Sequence, residues 1–299
     1  MKGGDLFARK TILKTIGNTP LIKIDQIYAK LETTNPTGSI KDRLAYYLTK
    51  KAEEKNKLKP GYNIIETTSG NTGISFAMIS AIKGYRFTAI MPESMSQERI
   101  QMMRTYGANI ILTPGKEHIE GAIKKYRQYI KNKQKIWLPK QFENPRNIEA
   151  HQKGIGKEIA NEIKKIDAFV AGVGTGGTLI GVAKTLKKIN PDVKIIAVEP
   201  DESPVISTGK KGKHKIQGIG EGFIPPLIKK NRGYIDQIIR IKSKDAINSS
   251  RILARKKGIL AGVSSGANFL AAKKIAEKNK KVVTVLPDRG ERYFSYINK

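Results

Sequence analysis

The 299-residue chain contains no cysteine. That excludes disulfides, thiolate nucleophiles and thiolate metal sites. Three histidines argue against a zinc centre, and no metal site is expected. Acidic residues are scarce: 26 Asp and Glu stand against 56 Lys and Arg, for a net charge of +30. Charge of this kind speaks to nonspecific attraction for polyanions. The lysines are scattered, as in KKAEEKNKLK, KKYRQYIKNKQK, TLKKIN and AEKNKK. No zinc knuckle, RNP pattern or aromatic–lysine interleaving accompanies them, so no specific nucleic-acid partner is expected. No apolar run approaches the length of a membrane span. The opening MKGGDLFARK lacks the apolar stretch of a signal peptide. The expectation is a cytoplasmic protein with no membrane partner. The length suffices for one large domain or two moderate ones.

What is present is alternation. Short apolar runs at 63–68, 87–92, 109–114, 167–174, 194–200 and 282–287 read as buried parallel strands. Amphipathic segments at 72–84, 96–107, 118–132, 147–164, 177–189 and 266–278 read as helices. The pattern predicts an α/β fold with parallel sheets. QFENPRN (141–147) has turn chemistry and marks a domain boundary. Residues 201–233, rich in Gly, Pro and Lys, read as surface loop.

Three junctions carry chemistry. In TTNPTGSIKDRLAYY (33–47), Asn35, Pro36 and Gly38 break the chain, and Ser39 caps a following helix that holds Lys41 in its first turn. A helix start and partial burial both disfavour an ammonium, and a neutral lysine amine forms Schiff bases. An isolated lysine in this position is most simply solvated. In IIETTSGNTGISFA (64–77), Thr67, Thr68, Ser69, Asn71 and Thr72 meet the free N–H groups of a helix start. That combination suits a carboxylate, although helix caps use the same residues. In AFVAGVGTGGTLIGV (168–182), Gly172, Gly174 and Gly177 fit G-x-G-x-x-G, and Glu199 follows Gly177 by 22 residues. This matches the dinucleotide fingerprint with an acidic residue for the ribose. It establishes a phosphate site better than it identifies the phosphate.

Together these stretches resemble the cysteine synthases (O-acetylserine sulfhydrylases) and the related cystathionine β-synthases, pyridoxal-phosphate enzymes of fold type II. The resemblance runs from IGNTPL (16–21) to PDRGERYFS (287–295). It passes through NPTGSIKDR, ETTSGNTGI, MPESMSQER, QFENPRNIEAH, GVGTGGTLIGV, HKIQGIG and GVSSGAN. It implies two open, twisted, parallel-sheet α/β domains like those of the tryptophan synthase β subunit, with the active site in the cleft between them. The smaller domain would be 35–147 and carry the carboxylate loop. The larger would be 1–34 with 148–299 and carry the phosphate loop.

By the same resemblance, Lys41 forms the Schiff base with pyridoxal phosphate and acts as acid and base. Asn71 meets the ring oxygen, Gly174, Thr175, Gly176, Gly177 and Thr178 cradle the phosphate, and Ser264 meets the pyridine nitrogen. Thr68, Ser69, Gly70, Asn71, Thr72, Gln141 and Gly218 form the substrate site. A hydroxyl at the pyridine nitrogen weakens the ring as an electron sink and favours prompt loss of a β-leaving group. The implied reaction is β-replacement through an α-aminoacrylate, making L-cysteine from O-acetyl-L-serine and sulfide. A homodimer is implied, and docking of a serine acetyltransferase stays open.

Glu221 departs from the family, whose sulfhydrylases typically carry a small residue there. It reads either as a solvent-facing glutamate or as a general base near the substrate Cβ. In the second case the chain is a cysteine lyase that releases hydrogen sulfide and forms serine, or a cystathionine β-synthase. Glu221 also argues against a phosphorylated serine as donor. Gly154-Ile155 replaces a threonine pair, and Asp288-Arg289 replaces the serine pair of one isozyme type of the family while resembling the other, DRG-DRY type. A distant alternative, an NAD-dependent dehydrogenase, rests on the glycine motif and Glu199. It leaves Lys41, TSGNTG and GVSSG unexplained.

Overall fold

The computed structural model describes residues 11–294. The opening stretch 1–10 and residues 295–299, including the last serine of PDRGERYFS, lie outside the described residues. Ten strands run in chain order: β1 (Leu21–Ile24), β2 (Ile27–Leu31), β3 (Asn63–Thr67), β4 (Arg86–Pro92), β5 (Asn109–Thr113), β6 (Ile136–Trp137), β7 (Ala168–Gly172), β8 (Lys194–Pro200), β9 (Gln237–Ile241) and β10 (Val282–Leu286). The α-helices are α1 (Lys41–Glu54), α2 (Asn71–Lys83), α3 (Gln97–Thr105), α4 (His118–Ile130), α5 (Arg146–His151), α6 (Lys157–Glu162), α7 (Gly177–Ile189), α8 (Val205–Thr208), α9 (Pro226–Lys230), α10 (Ser243–Lys257) and α11 (Val263–Ala276).

The strands form two sheets, in the orders β5-β4-β3-β6 and β1-β2-β10-β7-β8-β9. Every pairing is parallel except β1 with β2. Only Asp25 and Gln26 join those two strands. A link that short closes a hairpin and cannot make a parallel crossover. The expected α/β fold is therefore present, with one antiparallel edge.

Alternate residues of the central strands serve opposite cores. Ala168 and Val170 of β7 pack with the helix α10–α11 side. Phe169 and Ala171 pack with the α7 side. The smaller sheet divides likewise, with Ile64, Phe87 and Ala89 on one face and Ile65 and Ile90 on the other. Burial on both faces explains the continuous apolar runs.

Some elements escape the apolar pattern. Strand β2 contains Lys30, which is fully buried; its Nζ donates to Thr19 O at 2.6 Å and to Glu162 Oε1 at 2.5 Å. Arg43 joins this network, with Nε on Glu32 Oε2 at 2.7 Å and Nη1 on Glu158 Oε1 at 2.6 Å. Removing one member of such a buried network costs about 3–5 kcal/mol. The network pins the start of α1 against β2 and α6. The helix expected over 147–164 is interrupted by a π-helical segment, Gln152–Gly156, where Gly154 takes φ −96° and ψ −107°. The stretch 201–233 is not all loop, since it holds α8 and α9.

The turns that follow β2, β3, β7 and β10 all leave the carboxyl ends of their strands. In open parallel sheets this is where ligands bind.

Candidate active site

Lys41 opens α1. Its backbone N–H donates to Ser39 Oγ at 3.3 Å. The turn before it is tied to the segment after β10: Ile40 N donates to Pro287 O at 2.8 Å and Arg289 N to Gly38 O at 3.1 Å. Asp42 faces the other way and accepts from Thr37 N at 2.8 Å and from Ser75 Oγ at 2.6 Å. Lys41 Nζ has no hydrogen bond or ion pair among the described residues. Burial lowers its pKa, against the opposing pull of Asp288 and Glu221.

The loop after β3 leads into α2, with Gly70 as N-cap. Thr68 and Thr72 are buried. Thr72 Oγ1 donates to Gln141 Oε1 at 2.8 Å. Asn147 continues the chain of contacts: its Nδ2 donates to Gln141 O at 2.8 Å and to Thr175 Oγ1 at 2.9 Å. One buried asparagine thus links the carboxylate loop to the glycine loop. Sequence reasoning placed Asn147 only where the QFENPRN turn meets the helix expected over 147–164 and gave it no role in the site.

The glycine loop runs from β7 to the N-terminus of α7. Gly176 is the N-cap, at φ +86°, a left-handed conformation that side chains disfavour. A Cβ on Gly177 would lie 1.8 Å from Asn147 Oδ1. Gly177 N donates to Thr175 Oγ1 at 3.3 Å. Thr178 Oγ1 stands 3.4 Å from His151 Nε2. Burial, reinforced by the charges of Lys41 and Arg43, holds His151 well below its ordinary pKa, so the ring is neutral. The first-turn N–H groups of α7 and their dipole make an anion site.

These parts surround one cleft. Its walls include Lys41, Asn71, Gly174, Thr175, Gly176, Thr178, Gly218, Ser264 and Asp288. Thr68, Ser69, Gly70, Thr72, Gln141, Gly177 and Glu221 are not among them. Glu221 has exposed surface and does not line the cleft. The surrounding protein pushes its carboxyl upward, while Lys41, His214 and Arg99 pull it back. Nearby, the rings of Phe223 and Phe142 pack at a tilt of 59° with centroids 5.3 Å apart and join the Glu221 loop to the segment after Gln141. Glu199 serves elsewhere: it is buried and accepts from Ile206 N at 2.8 Å and Ser207 N at 3.2 Å. It caps α8, which leaves both oxygens occupied. A second, more open concavity lies among Lys23, Gln26 and residues 276–280, at the amino ends of the strands. It gathers surface lysines and no catalytic constellation.

Residues 12–288 match the family described as "Pyridoxal-phosphate dependent enzyme". The chain belongs to the pyridoxal-phosphate-dependent enzymes. It is 49% identical over 297 residues to a cysteine synthase of Staphylococcus aureus, covering 95% of each chain. It is similar to the crystal structure of a cysteine synthase from Entamoeba histolytica, with TM-score 0.93 and 42% identity over 99% of this chain and 92% of that one. It is also similar to a hydrogen sulfide-producing enzyme from Fusobacterium nucleatum, with TM-score 0.91 and 42% identity over 96% of this chain and all of that one.

The cleft of this pyridoxal-phosphate-dependent enzyme fits its cofactor. The loop with Thr175 and Thr178 offers hydroxyls and helix N–H groups to a phosphate. An unpartnered lysine amine faces the same space, as Schiff-base chemistry needs. Ser264 is buried at the start of α11, and its Oγ has no hydrogen bond among the described residues.

Proposed function

We propose that the protein makes L-cysteine from O-acetyl-L-serine and sulfide by β-replacement. The observation that carries this reading is the convergence of Lys41, Asn71, Ser264 and the helix-capping glycine loop on one cleft, in a chain 49% identical to a cysteine synthase. Pyridoxal phosphate bound there supplies an electron sink for the bond that breaks at the substrate Cα.

The protein's side chains and backbone N–H groups supply the rest. Gly174, Thr175, Gly176, Gly177 and Thr178 hold the phosphate, Asn71 the ring oxygen and Ser264 the ring nitrogen. Thr68, Ser69, Gly70, Asn71, Thr72 and Gln141 bind the substrate carboxylate, and Gly218 lets substrate approach the cleft. Lys41 anchors the cofactor and takes the Cα proton. Acetate leaves Cβ, hydrosulfide adds there, and Lys41 returns a proton to Cα. Residues 35–147 form the smaller half of the cleft, and 1–34 with 148–299 the larger. The protein works in the cytoplasm as a homodimer, and a serine acetyltransferase is the macromolecular partner to test.

A second reading is favoured by Glu221, whose carboxyl feels the charge of Lys41, and by the likeness to a hydrogen sulfide-producing enzyme. Glu221 then takes a proton from water as it adds at Cβ, and cysteine is converted to serine and sulfide. Cystathionine formation, with a thiol in place of water, uses the same base. Purified holoenzyme given O-acetylserine and sulfide, or cysteine alone, separates the readings. Rapid cysteine production in the first assay supports the synthase. Sulfide and serine release that outpaces it supports the lyase. Neither product would overturn both.

A further inference from the structure

Asn71 sits between two charged side chains that dictate which way its amide points. Arg292 Nη1 donates to Asn71 Oδ1, and the same guanidinium reaches Thr37 O through Nη2. On the other side, Asn71 Nδ2 donates to Asp288 Oδ2 at 2.6 Å. An arginine can only donate, and a carboxylate can only accept. The amide therefore has one allowed orientation, with its NH2 group on the Asp288 side. That NH2 carries two protons and Asp288 takes one, leaving one donor for a ligand in the cleft.

Asp288 is itself held. Tyr293 OH donates to the same Oδ2. The backbone of Asp288 accepts from Gly262 N at 3.0 Å and bridges to Ser39. A Cβ on Gly262 would lie 2.2 Å from Asp288 Oδ1, so the carboxylate is wedged against the start of α11. Asp288 and Tyr293 are each 1% exposed, and Arg292 5%. Asp288 lines the same cleft as Asn71, and its Oδ1 is buried without a partner. A buried carboxylate facing a ligand cleft calls for an explanation beyond packing.

We propose that Asp288 is a positioning residue. With Arg292 as the opposing clamp, it locks the Asn71 amide so that a donor, never the carbonyl, faces the ring oxygen of the bound cofactor. This rests on the reading that Asn71 meets that oxygen. Asp288 does not touch the cofactor in this role and acts on the ring oxygen through Asn71, beside the pull of its charge on Lys41. A shorter residue at 288 leaves the amide to Arg292 and solvent.

The test is a double-mutant cycle on cofactor affinity, read by fluorescence titration of the apo-protein with pyridoxal phosphate. Asp288→Leu, similar in size but unable to accept, is expected to weaken binding about tenfold when Asn71 is present, the scale of one well-placed hydrogen bond. In the Asn71→Ala background the same change is expected to alter affinity less than about twofold. Asp288→Asn keeps an acceptor for Asn71 and is expected to restore native affinity within about twofold. Thermal melting of each apo-protein separates a folding defect from a binding one, and Asp288→Ser replaces the leucine variant if that does not fold. Equal losses in both backgrounds, or no loss in either, overturn the proposal. If Asn71→Ala alone leaves affinity unchanged, the assignment of Asn71 fails, and the proposal falls with it.

Discussion

Thr72 Oγ1 donates to Gln141 Oε1 at 2.8 Å, and both side chains are buried. The bond consumes the acceptor of the Gln141 amide and leaves its NH2 group as the free end. On the proposed reading, a substrate carboxylate at the head of α2 meets this donor. Gln141→Ala is expected to raise KM for the amino-acid substrate about tenfold with kcat changed less than threefold, since the lost hydrogen bond is a binding contact. Thr72→Val should act in the same direction. Steady-state kinetics on both variants checks this, and a fall in kcat at unchanged KM would place Gln141 in the chemistry instead.

Lys41 carries the second prediction. Burial lowers its pKa, and Asp288 and Glu221 only partly restore it. Its neutral amine is thus available at a lower pH than that of an ordinary surface lysine, and a neutral amine is the nucleophile. In the apo-protein at about pH 8, an amine-selective acylating reagent should label Lys41 ahead of the surface lysines, as read by peptide mass spectrometry, and pyridoxal phosphate should protect it. Lys41→Ala should lower kcat by at least about a thousandfold, within the range attributed to a lost acid–base group. Uniform labelling across the lysines would contradict the lowered pKa.

The sequence carried the strands that are buried on both faces, because parallel strands with two cores read as unbroken apolar runs. It did not carry β2, where Lys30 interrupts the run and is neutralised by glutamates far along the chain. The glycine loop was legible as an anion site because strand, glycines and helix are contiguous. The link from Thr72 through Gln141 and Asn147 to Thr175 was not. It joins residues from three separate stretches, and no local pattern reports such a contact. Asp288 was visible only as part of a DRG-DRY-like stretch standing where one isozyme type has a serine pair. Its place beside Asn71 depends on the pairing of Ser39 with the segment after β10.

Glu221 offers a pH-dependent test. Desolvation pushes its carboxyl upward, while Lys41, His214 and Arg99 oppose this. A base works only when deprotonated, so serine formation from cysteine should rise with pH through the titration of Glu221 and then level off. Glu221→Gln should remove that rise and lower serine formation about a hundredfold, while cysteine synthesis from O-acetylserine falls much less. A pH profile of serine release with its rise intact in the variant would assign the titration to another group.

Glu66 is the penultimate residue of β3, just before the loop that leads into α2, and it is 6% exposed. Its carboxyl accepts from Thr67 N at 3.2 Å and Gln141 N at 3.3 Å. Burial outweighs these bonds and pushes its pKa from the ordinary 4.5 up to about 7. Between those values the folded protein holds a proton that the unfolded chain has released, so stability falls as pH rises across the interval. At 1.36 kcal/mol for each pH unit, the whole interval amounts to about 3 kcal/mol. Glu66→Gln keeps the shape and an acceptor without the charge, so it should match the native protein near pH 5. It should then exceed it progressively toward pH 8, by about 5 °C in melting temperature for a chain of this size. The same deprotonation places a charge behind the Gln141 backbone N–H, so the variant should bind the amino-acid carboxylate with less pH dependence over the same range. Melting curves that stay parallel from pH 5 to 8 would mean that Glu66 keeps the same protonation state in the folded and unfolded protein.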